Sequence, residues 1–168
     1  MLSRPHFVDN SLLVRDAHGR YHPASAEQIF DAARQVVDQK MQRGMAFVSP
    51  TDVKSYFVTK LAGLEHEVFA VLFLDVKFRL IEYMEMFRGT IDGAAVHPRE
   101  VLKAVLRLNA AAVIVGHNHP SGCPEPSGAD KALTQRLGEA LALVDVRLLD
   151  HVVVGGRATV TFTERGLL

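Results

Sequence analysis

The stretch Val113–Asp130, VIVGHNHPSGCPEPSGAD, constrains this chain more than any other. The apolar run Ala110–Val115 reads as a buried strand that empties into Gly116, His117, Asn118 and His119, then into a turn of proline, serine and glycine. Pro126-Ser127 closes the turn and opens a helix in which Leu133, Leu137, Leu141 and Val144 share a face. Asp130 falls on the first turn of that helix. Two histidines and a carboxylate can therefore converge where a strand gives way to a helix, which is the shape of a metal site.

The spacing says how. His117 and His119 are two residues apart, so in an extended chain they point the same way, about 6–7 Å apart at Cα, while Asn118 points elsewhere. Both rings can then reach one zinc ion, with Asp130 as third ligand and water in the fourth position. An ion there lowers the pKa of its water towards ~7. Hydrolysis also needs a proton acceptor that is not a ligand. Glu67, at the start of the apolar run 68–74, is the candidate general base, with Glu65, Glu82 and Glu85 as alternatives because long-range pairing does not follow from spacing. The Ser127 hydroxyl is the candidate donor to a developing oxyanion.

Each residue also has a plainer reading. Ser127 with Asp130 is an S-x-x-D pair, the signature of a helix N-cap. Glu67 can be a solvated strand-end acid, and Cys123 an inert surface thiol, a metal-proximal group or an oxidation-sensitive one. His97 reads as a helix-start residue. His151 lies in a strand-like segment and reads as a satisfied core histidine.

The rest of the chain sets the frame. Within 168 residues there is room for one main domain with a sizeable core. Its 19 basic and 19 acidic residues balance, so no polybasic nucleic-acid surface is expected. A single cysteine excludes an internal disulfide, and no apolar run is long enough to span a bilayer, which together suggest a soluble cytoplasmic protein. Residues 1–47 read as an arm: a hairpin or irregular segment over 1–24, then an amphipathic helix capped at Ser25-Ala26-Glu27-Gln28, running to about Gln42 and stopped by Gly44. Its stripe of Ile29, Ala32, Ala33, Val36, Val37 and Met41 must be buried somewhere, either against the main domain or in a homodimer.

Residues 48–168 form the main domain. A helix capped at Ser49 or Thr51 runs through Lys60, and the central strand after Glu67 turns at Lys77-Phe78 into a partner strand over Arg79–Arg88. Gly89-Thr90-Ile91-Asp92-Gly93 connects to a helix opened by His97-Pro98 and ended by Asn109. The strand over Asp145–Val154 turns at Gly155-Gly156 into Ala158–Phe162, and the tail Glu164–Leu168 docks loosely. This order predicts an α/β fold, a mixed sheet with helices on both faces.

The run His117-Asn118-His119-Pro120, followed by Ser121–Pro126 and then Ser127-Gly128-Ala129-Asp130, matches the JAMM signature. Together with EVFAVLFLD, HPREVLKAVLRLNAAAVIVGHNHPSG and LLDHVVVGG, it resembles the RadC branch of the JAB/MPN superfamily over about residues 48–168. The resemblance implies a curved mixed β-sheet flanked by helices, an α-β-α arrangement like that of cytidine deaminases. It implies one zinc ion per chain on His117, His119 and Asp130, with Glu67 as catalytic glutamate and Ser127 steadying the intermediate. Members of known chemistry cleave peptide or isopeptide bonds, so a peptide or protein conjugate is the expected substrate. Residues 1–47 lack the helix-hairpin-helix pattern usual ahead of this domain, which suggests a short form. Nucleic acid is not an expected partner, and two alternative readings stand beside the hydrolase: a DNA-associated accessory protein of a mobile element, and an interaction scaffold with an idle metal site.

Overall fold

The computed structural model describes residues 12–40, 44, 46, 47, 49–89 and 95–168, with side chains of 38–40 left aside. The chain divides into two compact units, Met1–Gln39 and Lys40–Leu168.

In the first unit, β1 (Leu13–Arg15) and β2 (Tyr21–Pro23) pair antiparallel, the hairpin of the two arrangements expected for this segment. The helix α1 (Ala26–Lys40) opens with a reciprocal cap: Ser25 Oγ accepts the Gln28 N–H at 3.1 Å and Gln28 Oε1 accepts the Ser25 N–H at 3.0 Å. Ile29, Phe30 and Val36 on this helix are exposed. The helix end expected at Met41 and Gln42 lies outside the described residues.

In the second unit, α2 (Pro50–Leu61) starts at the Ser49 cap, whose hydroxyl accepts the Asp52 N–H, and places proline where its missing donor costs nothing. The strands β3 (Val68–Leu74) and β4 (Leu80–Arg88) form an antiparallel pair. The helix α3 (Pro98–Leu108) ends at Asn109, which adopts the left-handed conformation that asparagine tolerates. Strand β5 (Ala112–Asn118), helix α4 (Gly128–Ala142) and strand β6 (Arg147–Gly155) make a crossover unit in which β5 and β6 run parallel, and β7 (Ala158–Thr161) closes the edge. The sheet order is β4-β3-β5-β6-β7, with β5–β6 its parallel pair. It is the mixed sheet with helices on both faces that the element order predicts.

Every residue of β3 and β5 is buried, because both faces of the central strands are covered. On one face Phe69, Val71, Phe73, Val113 and Val115 pack with Val101 and Val105 of α3 and Leu137 and Leu141 of α4. Leu133 of α4 adds to this stripe from a partly buried position, and Val144, just past the helix end at Ala142, packs against the same core. On the other face α2 lies so close that a Cβ on Gly116 would sit 2.6 Å from the Phe57 ring. Burial of each such large apolar side chain contributes about 1.5–3 kcal/mol.

Several local boundaries differ from the expected ones; α4 ends at Ala142 and β6 starts at Arg147. The β5 strand runs on through His117 and Asn118, because Phe69 of β3 and Val153 of β6 pair with His117 on its two sides. Gly155 remains in β6 opposite Ala158, so the turn is made by Gly156 and Arg157. The tail folds back as turns, with the Leu167 N–H bonded to the Phe162 carbonyl at 2.9 Å. Of the connection expected at 89–93, Gly89 donates its N–H to the Glu67 carbonyl at 2.8 Å, and residues 90–93 lie outside the described residues. Among the described residues no helix is long and apolar enough to cross a membrane.

Candidate metal centre

Alternation along β5 carries Val113, Val115 and His117 to the α3/α4 face, and the next residue of that face is His119. The His119 N–H bonds the Val154 carbonyl at 2.8 Å, which continues the strand direction one step past its end. The two rings meet with Nε2 atoms 2.9 Å apart. Asp130 comes from the first turn of α4, its Oδ1 3.3 Å from His117 Nε2 and its Oδ2 3.6 Å from His119 Nε2. These three residues form a group that could hold one metal ion, their ligand atoms all within 4.8 Å of one another.

Their hydrogen bonds determine which atoms are available. His119 Nδ1 lies 2.7 Å from the Cys123 carbonyl, which can only accept, so Nδ1 carries the proton and Nε2 the lone pair. His117 Nδ1 lies 2.8 Å from Nε2 of His151, a wholly buried ring stacked on Phe162. Asp130 Oδ2 accepts both the Ser127 N–H at 2.7 Å and the Ser127 hydroxyl at 2.6 Å, and Ser127 Oγ accepts the Asp130 N–H at 3.1 Å. Ser127 is thus the helix cap and also the group that holds the Asp130 carboxylate beside the rings. Donation by Ser127 to a substrate oxygen requires its proton to swing away from Asp130.

Charge sharpens the arrangement. Burial pushes His117 down to about 4, while the Asp130 carboxylate pulls it up and His119 pushes it further down. Burial also drives His151 well below the ordinary imidazole value, with His117 and His119 adding to the effect. At neutral pH these two rings are uncharged, so His117 and Asp130 are not an ion pair. They are a neutral donor and an anion around one point. Two imidazole nitrogens and a carboxylate oxygen fit a borderline divalent ion.

Glu67 lines the same cavity of about 510 Å³ as His117, His119, Ser127 and Asp130. The β3–β5 register explains its arrival: Phe69 pairs with His117, and Glu67 stands two residues before Phe69, just ahead of the start of β3. Asn118 fixes this approach. Its Oδ1 accepts the Val68 N–H at 2.9 Å and its Nδ2 donates to the His66 carbonyl at 3.0 Å, gripping the backbone on both sides of Glu67.

Asn118, His151 and Thr134 have no role in a reading by motif. A signal for His151 was present, since an imidazole among valines in a strand needs partners for both nitrogens. Gly155 is a fourth: a Cβ there would lie 2.5 Å from Pro124 N and 2.6 Å from Gly122 O, so the loop that presents the Cys123 carbonyl seats against a bare backbone. Cys123 itself is exposed.

The sequence of the RadC-like JAB domain matches residues 47–167 of this chain. The chain belongs to the RadC-like JAB family. A UPF0758 protein of Vibrio cholerae serotype O1 is 56% identical over 145 residues, which cover 86% of this chain and 91% of the relative. UPF0758 proteins of Marinobacter nauticus and Nitrosococcus oceani are 52% and 54% identical, over 86% and 82% of this chain. The matched parts are 65% and 62% of those two proteins, so this chain spans less than two thirds of their length. Membership and the three-residue group support a metal-dependent hydrolase of the JAMM kind.

Proposed function

We propose that this protein is a zinc-dependent hydrolase of peptide or isopeptide bonds. The observation that carries the reading is the convergence of two imidazoles and the Asp130 carboxylate, with Glu67, a second carboxylate, lining the same cavity outside the ligand group. A bound zinc ion would supply a Lewis acid that polarises a carbonyl and acidifies water.

His117, His119 and Asp130 would hold that ion, with both rings offering Nε2. Glu67 would take a proton from the attacking water and deliver it to the leaving amine, the role of a positioned carboxylate. Asn118 keeps the Glu67 backbone in register with the rings. Ser127 holds the Asp130 carboxylate in orientation and, on rotating its hydroxyl, would donate to the substrate oxygen. Phe69, Val96 and Leu133 give the cavity an apolar wall, which excludes water around a peptide segment.

The test is a comparison of wild type with Glu67→Gln for zinc content and for cleavage of peptide and isopeptide-linked libraries. Zinc near one per chain in both, with turnover lowered about 10²- to 10⁴-fold in the variant, is the expected result. Absence of zinc from the wild type would remove the proposal, and equal turnover would move the proton acceptor elsewhere.

A further inference from the structure

We propose that His151 and Thr134 are a positioning pair that fixes His117 as the Nδ1–H tautomer, so that its Nε2 lone pair faces the ion. The inference rests on the metal-centre reading above and adds two residues that touch neither ion nor substrate. Thr134 Oγ1 lies 2.6 Å from the Asp130 carbonyl and 2.6 Å from His151 Nδ1, and His151 Nε2 lies 2.8 Å from His117 Nδ1. Thr134, His151 and His117 are all buried, so no water competes for these contacts.

The direction of the chain follows from its end. A carbonyl has no proton, so only the threonine hydrogen can lie between two oxygens 2.6 Å apart. With that proton committed, Thr134 Oγ1 must accept from His151 Nδ1–H. The other nitrogen of His151 is then an acceptor, and the proton between the rings belongs to His117 Nδ1. The outer ring is set the same way, because His119 Nδ1–H also ends on a carbonyl, that of Cys123. Both chains carry protons away from the centre and leave two lone pairs facing each other at 2.9 Å. That repulsion is relieved by a cation.

The pair also links ligands from different elements. Asp130 and Thr134 sit one turn apart on α4, His151 on β6 and His117 on β5, so the carbonyl of one ligand orients the ring of another across the sheet. Partners of this kind typically change metal affinity 10–100-fold when removed.

The experiment uses the full chain and zinc alone. Imidazole tautomers are read in the metal-free protein by long-range proton–nitrogen-15 correlation, and zinc affinity by competition with a chromophoric chelator. Wild type should show His117 as Nδ1–H. In Thr134→Val, His151 is free to reverse to its Nε2–H tautomer and donate to His117 Nδ1, so that His117 should appear as Nε2–H with zinc affinity lowered about 10–100-fold; Thr134→Ser should restore both. If the valine variant does not fold, the pair His151→Phe and His151→Gln replaces it, since the glutamine carbonyl can still accept from His117 and phenylalanine cannot. Nε2–H at His117 in the wild type, or equal zinc affinity across either pair, would overturn the proposal. A wild type that binds no zinc would remove the hydrolase reading, and the tautomer of His117 would still decide this one.

Discussion

His117 and His119 are two residues apart, yet their surroundings hold them by different means. The side chain of His117 is 1% exposed and oriented by other side chains, His151 and then Thr134. That of His119 is 18% exposed and oriented by main chain, the Cys123 carbonyl in a loop seated on Gly155. The inner half of the centre therefore depends on residue identity. The outer half depends on backbone shape, and only a residue that changes the shape should disturb it.

Breaking the outer half through shape should give the largest effect. Gly155→Ala would place a methyl group 2.5–2.7 Å from the backbone of Gly122, Cys123 and Pro124, and something must move. Overpacking of this kind costs about 1–3 kcal/mol. The loop would withdraw the Cys123 carbonyl, and zinc titration together with thermal melting should show weaker binding and a lower midpoint in the same variant.

The inner half should reveal itself through pH. His117 takes up a proton less readily when folded, with its value moved from the ordinary 6.5 to about 4, and His151 is shifted in the same direction. The unfolded chain is therefore protonated first as the solution is acidified. This contribution is fully present above about pH 6.5 and is lost as the pH falls towards 4. Urea unfolding of the metal-free protein across that range should show stability declining with acid, with a shallower decline in His151→Phe, which removes one of the two rings.

The smallest effect is expected from Cys123→Ser. Only the carbonyl of this residue touches His119, and its side chain is exposed. Stability should stay within about 0.5 kcal/mol and zinc affinity should match wild type. A marked loss would show that the thiol takes part and that the outer half is not held by backbone alone.

The parts of the centre that were legible in the sequence are local ones. The ligand spacing, the Ser127 cap and the start of α4 are written within fourteen consecutive residues, 117–130, and need only strand and helix geometry. What was not legible is set by pairing between distant strands. Glu67 reaches the cavity of the ligand group through the β3–β5 register, which pairs Phe69 with His117, and His151 reaches His117 across the parallel β5–β6 pair, 34 positions away. The same applies to Gly155, which reads as a turn residue by composition and proves to be a strand residue pressed on by a loop. Periodicity locates elements and does not choose their neighbours.

Asn118 stands between the two ring-bearing positions and faces the opposite side of the sheet, where it clasps the chain next to Glu67. One three-residue segment thus serves as a ruler for both halves of the chemistry. A slip of a single position would exchange its faces, turning an amide towards the ion and an imidazole towards the Glu67 backbone. Acid and ligands cannot drift apart by degrees, so slow amide exchange at Val68 would report on the alignment of the whole centre.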